Sequence, residues 1–173
     1  MLIVFSGLPG TGKTTIAKGL AARLGALYLR IDSIEQAIRD ADVLASDVGR
    51  SGYLVANALA LTNLDMGSRV VVDCVNPVQE SRDAWRETAS RAQSSLIDIE
   101  VTCSDREEHQ RRVETRQIDV PGLKAPDWQS VLDHDYEPWG CKPFGIDTAL
   151  MSVDEAVAGI IERILLNPLR RLS

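Results

Sequence analysis

Polar and apolar positions alternate in two distinct rhythms along this chain. Leu2–Phe5 and Val70–Val72 are unbroken apolar runs with the length and β-branched content of strands buried on both faces, and the mixed runs Leu27–Ile31, Leu96–Val101 and Ile146–Met151 read as three further short strands. Between them, apolar residues recur every three or four positions, as on one face of a helix. Ile16, Leu20 and Leu24, with Ala17 and Ala21 alongside, predict a helix that Gly25 ends. Ser33 with Gln36 predicts a capping box at the start of a second helix, and residues 46–66 a third, weakened by Gly49 and Gly52 and stopped by Gly67. Asn76-Pro77 reads as the cap and first position of a fourth, and Ser104 with Glu107 caps a charged fifth ending near Arg116. Ser152 and Glu155 open a last helix whose Val153, Val157, Ile160, Ile161, Ile164 and Leu165 face the core and which Asn167-Pro168 stops.

Strands alternating with helices predict an α/β fold, a parallel sheet covered by helices on both faces through right-handed crossovers. The stretch 117–145 breaks the rhythm. It holds four of the seven prolines, with a short helix expected from Asp127 to Leu132, and a loop of this length in a compact domain is functional or mobile.

At 173 residues the chain is the size of one domain. Hydrophobic residues make up 45% and charged residues 25%, which excludes a disordered or fibrous chain. The net charge of −6 disfavours a protein that grips a long phosphate backbone and favours a small substrate. Cys74, Cys103 and Cys141 form no paired spacing, so neither a disulfide framework nor a zinc site is expected, and the compartment reads as the cytoplasm. No run approaches the ~18 apolar residues of a membrane helix.

The chemistry is concentrated where the first strand ends. Gly7-Leu8-Pro9-Gly10-Thr11-Gly12-Lys13-Thr14 is a GxxxxGK[ST] loop lying between a buried strand and a helix, followed by Thr15. Phosphate oxygens need several donors from a backbone that approaches closely, and the glycines permit that approach while the helix start adds its positive dipole end. Lys13 suits the β- and γ-phosphates of ATP and the Thr14 hydroxyl suits Mg²⁺. Gly7, Asp32 and Asp73 all follow strand ends, so they are expected to converge on the crevice where such sheets bind ligands. Asp73 ends a valine run and is a candidate for the metal's water shell. Asp32 is a candidate general base toward an acceptor hydroxyl.

Arg111, Arg112 and Arg116 crowd the end of one helix. Glu107 with Arg111 and Glu108 with Arg112 would make a solvated ion-pair face, whereas Arg116 has no carboxylate three or four residues before it. An arginine pair directed at an anion would make 112–145 a lid over the nucleotide. Trp128, Tyr136 and Trp139 within it either stack on a ring or pin the loop to the core. Asp133-His134-Asp135 is a polar loop with no second ligand cluster, and Cys74 borders the site without a nucleophilic role.

The glycine loop, Arg30-Ile31-Asp32, the valine run to Asp73 with Asn76 and Arg82, and Arg112 with Arg116 together resemble the small P-loop kinases: polynucleotide 5′-hydroxyl kinases, chloramphenicol phosphotransferase and zeta-toxin-like kinases. The resemblance spans about residues 1–120. It implies a P-loop NTPase three-layer sandwich with a five-stranded parallel sheet in the order 2-3-1-4-5, ATP and Mg²⁺, Asp32 as base, Arg112 and Arg116 as lid arginines and Asp73 on the metal or acceptor side. The two-residue gap between Asp73 and Asn76 departs from some polynucleotide kinases. The acidic surroundings of Asp32, with Glu35, Asp40, Asp42 and Asp47 nearby, also depart from a nucleic-acid groove.

Three readings follow: a kinase acting on a small-molecule hydroxyl, a polynucleotide 5′-hydroxyl kinase, and a nucleotide-binding switch with slow hydrolysis. A guanine-reading N/TKxD stretch is absent from the sequence, which lowers a GTPase switch. Residues 1–173 are expected to form a single kinase domain.

Overall fold

The computed structural model describes residues 1–43 and 47–166. Five strands, β1 (Leu2–Ser6), β2 (Leu27–Arg30), β3 (Val70–Asp73), β4 (Leu96–Thr102) and β5 (Phe144–Asp147), form one sheet in the order β2-β3-β1-β4-β5 with every pairing parallel. This is the predicted architecture and strand order. The helices are α1 (Lys13–Leu24), α2 (Ile31–Asp40), α3 (Ser51–Asp65), α4 (Gln79–Arg91), α5 (Arg106–Thr115), α6 (Trp128–Leu132) and α7 (Val153–Leu166).

Strand β1 lies at the centre and is wholly buried, and its side chains alternate between two cores. Ile3 and Phe5 point to the layer of α1 and α7, where Ile16, Leu20, Val157 and Ile160 meet Ile99 and Ile146. Leu2 and Val4 point the other way, to Ala56, Ala60 and Leu64 of α3 and to Trp85 and Ala89 of α4. Register then aligns the carboxyl ends: Phe5 is level with Asp73, and Asp73 with Arg30. No helix among the described residues is long and apolar enough to cross a membrane.

Several element boundaries differ from expectation, each for a local reason. The Ser33–Gln36 box does not form. Helix α2 starts at Ile31 with Arg30 at its N-cap and no side-chain cap, and Gln36 is buried and donates instead to Asp40 Oδ1 at 2.7 Å. Helix α3 begins only at Ser51, after Gly49 turns the chain at φ +52°; residue 46 lies outside the described residues. Asn76 is not a cap. It sits at φ +51° with its amide donating to Ser6 Oγ (3.0 Å) and its carbonyl oxygen accepting from Ser81, while Val78 precedes α4. Asp105, not Ser104, caps α5 by accepting from Glu108 N at 3.0 Å. Strand β5 runs from Phe144 to Asp147, starting two residues and ending four residues before the expected Ile146–Met151. On α7 the Ser152–Glu155 box forms as expected, but Val153 and Leu165 face outward. The Asn167-Pro168 stop lies outside the described residues.

The proline-rich stretch is held at residues 136–139 against the start of α4. Arg82 on α4, with no exposed surface, donates to the carbonyls of Asn76, Pro77, Glu137 and Pro138. Its guanidinium lies 5.1 Å from the Tyr136 ring centre and 4.1 Å from that of Trp139. Glu137 Oε2 accepts from Gln79 N at 2.6 Å, capping α4 from 58 residues away in the chain. Tyr136 and Trp139 are therefore pins, the second of the two alternatives for these aromatics.

Candidate functional site

The loop between β1 and α1 is fixed from three sides. Gly7 N donates to Val75 O at 3.0 Å, so the chain leaving β3 holds its start. His109 Nε2 on α5 donates to the Pro9 carbonyl at 2.8 Å, with its ring edge-on to Trp128 of α6 at 5.1 Å. Thr148, just past β5, places its hydroxyl 2.8 Å from the Thr11 carbonyl. At Gly10, with φ +83°, a Cβ would collide with Val113 of α5, and at Gly7 one would enter the Val101 carbonyl. Those two positions therefore admit no side chain while the loop rests on its neighbours. Inside the loop, Thr11 Oγ1 donates to Leu8 O at 2.9 Å and Lys13 Nζ reaches the same carbonyl at 3.3 Å.

A cavity of about 670 Å³ opens over this loop. Its wall includes Pro9, Gly10, Gly12, Lys13, Thr14 and Thr15, while Gly7, Leu8 and Thr11 are not part of the wall. Asp32, Arg112 and Arg116 line the same cavity, so Lys13, Thr14 and these three are brought together. Asp32 stands in the first turn of α2, its side chain 39% exposed and its Oδ2 3.3 Å from Arg30 Nη2.

Asp73 is placed differently. It is buried beneath the cavity and is not part of its wall; its Oδ2 accepts from the Tyr28 hydroxyl at 2.8 Å. Burial, and then the Asp73 charge, push the Tyr28 hydroxyl far above its ordinary range, so it stays a donor.

The arginine cluster resolves into two arrangements. Glu108 accepts from both Arg111 and Arg112, which pulls its carboxyl down to about 2; Glu107 is not the partner of Arg111. Arg112 continues past Glu108 to Thr148, with Nη1 2.8 Å from the hydroxyl and Nη2 3.3 Å from the carbonyl. Arg116 follows the last turn of α5 and has no ion pair among the described residues.

Four further residues at the site had no assigned role in the sequence reading. Arg30, only 5% exposed, donates Nη1 to Asp119 Oδ1 at 2.7 Å; its Nε, 3.9 Å from Asp73 Oδ2, has no hydrogen-bond partner. Lys18 Nζ donates to Asp119 Oδ2, also at 2.7 Å. These two bonds, Lys18 first, hold the Asp119 carboxyl well below the usual carboxylate range. Lys18 was within reach of sequence reasoning, being one helical turn beyond Thr14. Arg30, Asp119 and Thr148 meet their partners only through the tertiary fold.

The AAA domain family matches residues 2–127. An uncharacterized protein of Mycobacterium tuberculosis and its counterpart in Mycobacterium bovis are each 30% identical over 110 residues, a match covering 57% of this chain. The match spans only 22% of the length of those curated relatives. Among solved structures, the APS kinase of Mycobacterium tuberculosis in complex with AMPPNP and APS superposes with a TM-score of 0.71 at 20% identity, covering 95% of this chain and 96% of that one. A sugar kinase from Janibacter gives 0.70 at 20% identity, covering 96% and 95%. At such identity these structures establish a common fold. It is the fold that the resemblance to the small P-loop kinases implied.

Proposed function

This chain belongs to the AAA domain family, and from that premise we propose that it is an ATP-dependent phosphotransferase carrying the γ-phosphate to a hydroxyl of a small molecule. The observation that carries the reading is the cavity itself. Its lining brings together the glycine loop with Lys13 and Thr14, Asp32 from the head of α2, and Arg112 and Arg116 from the end of α5. A half-exposed carboxylate lining the same cavity as the phosphate loop suits a transferase, which needs a base for its acceptor hydroxyl, better than a switch. The APS kinase of the same fold was solved in complex with AMPPNP and APS, which supports a site for a nucleotide together with a second ligand here.

The donors present fit a magnesium nucleoside triphosphate. Six cations, Lys13, Lys18, Arg30, Arg112, Arg116 and Lys124, line the cavity against the two carboxylates Asp32 and Asp119. The loop backbone from Gly7 to Thr15 would cradle the phosphates, with Lys13 on the β- and γ-phosphates and Thr14 as a magnesium ligand. Asp73 lies behind the wall, so its part in holding the metal would pass through water. Magnesium, when bound, neutralises charge on the phosphates during transfer.

Asp32 orients the acceptor hydroxyl and takes its proton as oxygen bonds to the γ-phosphorus and the bond to the β-phosphate oxygen breaks, releasing ADP. Lys13, Arg112 and Arg116 stabilise the charge that spreads over the transferring group. In this reading the chain works as one kinase domain with its lid between residues 112 and 145, and the free cysteines Cys74, Cys103 and Cys141 suit the reducing cytoplasm.

The test is product formation from ATP and a panel of hydroxylated compounds, oligonucleotides included, by wild type and Lys13→Ala. Loss of the lysine removes a charge contact made to the transferring group, so the rate should fall by several powers of ten, each worth about 1.36 kcal/mol. Turnover by Lys13→Ala at the wild-type rate would sink the proposal, and preferential use of oligonucleotides would replace the small acceptor with a nucleic-acid end.

A further inference from the structure

Asp119 comes from the proline-rich segment between α5 and α6, yet its carboxylate lies inside the cavity. Each of its oxygens is engaged at 2.7 Å by a different cation, Oδ1 by Arg30 Nη1 and Oδ2 by Lys18 Nζ. The two cations come from two separate elements, β2 and α1, and Arg30 is held almost without exposure. An arginine so enclosed has lost most of its water, and an anion must replace it. Asp32 touches the same guanidinium at 3.3 Å, and Asp73 at 3.9 Å leaves Nε without a hydrogen bond. The guanidinium is therefore not saturated by the residues of the sheet. Asp119 completes it from a half-exposed segment that carries Lys124 on the same cavity wall.

We propose that Arg30 and Lys18 form the anion-binding half of the acceptor site, that Asp119 occupies it in the absence of ligand, and that the acceptor is a hydroxylated molecule bearing a carboxylate, phosphate or sulfate group. The inference rests on the phosphotransferase reading for the word acceptor. The geometry connects the two halves: Asp32, the carboxylate facing the phosphate loop, is bonded to the same guanidinium. An oxyanion seated on Arg30 would bring the remainder of its molecule beside Asp32, with Asp119 displaced and its segment released. Because Asp119 competes from within the chain, its effective concentration is in the millimolar range, and removing it should strengthen binding of an external anion by about tenfold.

Inorganic sulfate is the first probe, titrated by NMR into the intact protein saturated with AMPPNP and magnesium, so that the phosphate loop is already filled. Saturable binding that tightens about tenfold in Asp119→Ala and weakens about tenfold in Lys18→Ala supports the site. Arg30→Gln is a companion variant, and half-exposed Lys18 serves as the test should the buried substitution fail to fold. Sulfate binding that is undetectable in Asp119→Ala, or equal in Lys18→Ala and wild type, overturns it. The second probe is ADP release with matched acceptors, gluconate against glucose and glycerol 3-phosphate against glycerol. Preference for the charged member, lost in Lys18→Ala, supports an anionic acceptor; preference for the neutral member overturns it. Saturable sulfate binding with no turnover of any acceptor would overturn the phosphotransferase reading while leaving the anion site in place.

Discussion

Arg112 is bonded through Thr148 to the phosphate loop: Nη1 of the arginine donates to the threonine hydroxyl at 2.8 Å, and that hydroxyl lies 2.8 Å from the Thr11 carbonyl. The arginine is therefore held from two directions, by Glu108 on its own helix and by a residue that follows β5. Thr148→Val keeps the shape and removes the hydroxyl, leaving both Nη1 and the Thr11 carbonyl short of a partner. With a hydrogen bond to a charged group contributing about 1.5–3 kcal/mol, kcat should fall by about tenfold or more. The Michaelis constant for ATP should move less, because the contact serves the transferring group. Steady-state kinetics of the variant decide this, and an unchanged kcat would show that Glu108 and the carbonyl of residue 148 suffice to position Arg112.

His109 bears on nucleotide binding. Its Nε2–H is the donor to Pro9 O, and the ring also rests against Trp128. His109→Phe retains the ring and loses the donor. One neutral hydrogen bond contributes about 1 kcal/mol, so ATP affinity by calorimetry should weaken roughly fivefold with little change in enthalpy of unfolding. Wild-type affinity in the variant would mean that Val113 packing under Gly10 suffices to shape the loop.

Asp32→Asn separates chemistry from stability. The carboxylate sits in the first turn of α2, where a negative charge complements the helix dipole by about 0.3–1 kcal/mol. Thermal denaturation should register a loss of that size. ATP affinity should be kept, since it depends on the loop, and transfer to the acceptor should drop by two or more powers of ten, of order what a positioned base supplies. Intact transfer would remove Asp32 as the base.

Arg82 should be among the costliest residues to replace. Arg82→Leu leaves the carbonyls of Asn76, Pro77, Glu137 and Pro138 without their donor in a buried place. At about 1–3 kcal/mol per unsatisfied group, the loss should exceed about 3 kcal/mol even if water reaches some of them. For a chain of this size that lowers Tm by about 6–12 °C. A shift under a couple of degrees would show that Glu137 and the aromatic rings hold the loop unaided.

The parts of the fold that were legible in the sequence are those where local chemistry leaves one solution. Leu2–Phe5 and Val70–Val72 have no polar side chain to show water, and the glycine loop has positions that only glycine fills. The caps were less legible. Ser33, Asn76 and Ser104 each have the side chain for the task, but Asn76 is drawn away by Ser6, seventy residues earlier, and Asp105 lies one residue nearer than Ser104 to the α5 backbone. At the site, Lys13, Thr14, Asp32, Arg112 and Arg116 line one cavity, whereas Gly7 and Asp73, expected in the same crevice from their places after strand ends, do not line it. The meeting of Asp119 with Arg30 and Lys18 spans 89 and 101 residues, and no local pattern encodes it.

The clamp formed by Arg82 and Glu137 divides the proline-rich stretch into parts with different evolutionary freedom. Residues 136–139 are built into the end of α4 and share its fate. Residues 117–126 make their ion pairs to the rest of the site through one half-exposed carboxylate, Asp119, with Val120 buried beside it and Gln117, Leu123, Lys124 and Pro126 on the cavity wall. Changes to the exposed positions of that second part, with Val120 and the α6 cap Asp127 kept, would alter which molecule is admitted while leaving the folding unit intact. A new specificity could therefore be grafted onto this chain within one short segment, and limited proteolysis would find the same segment first.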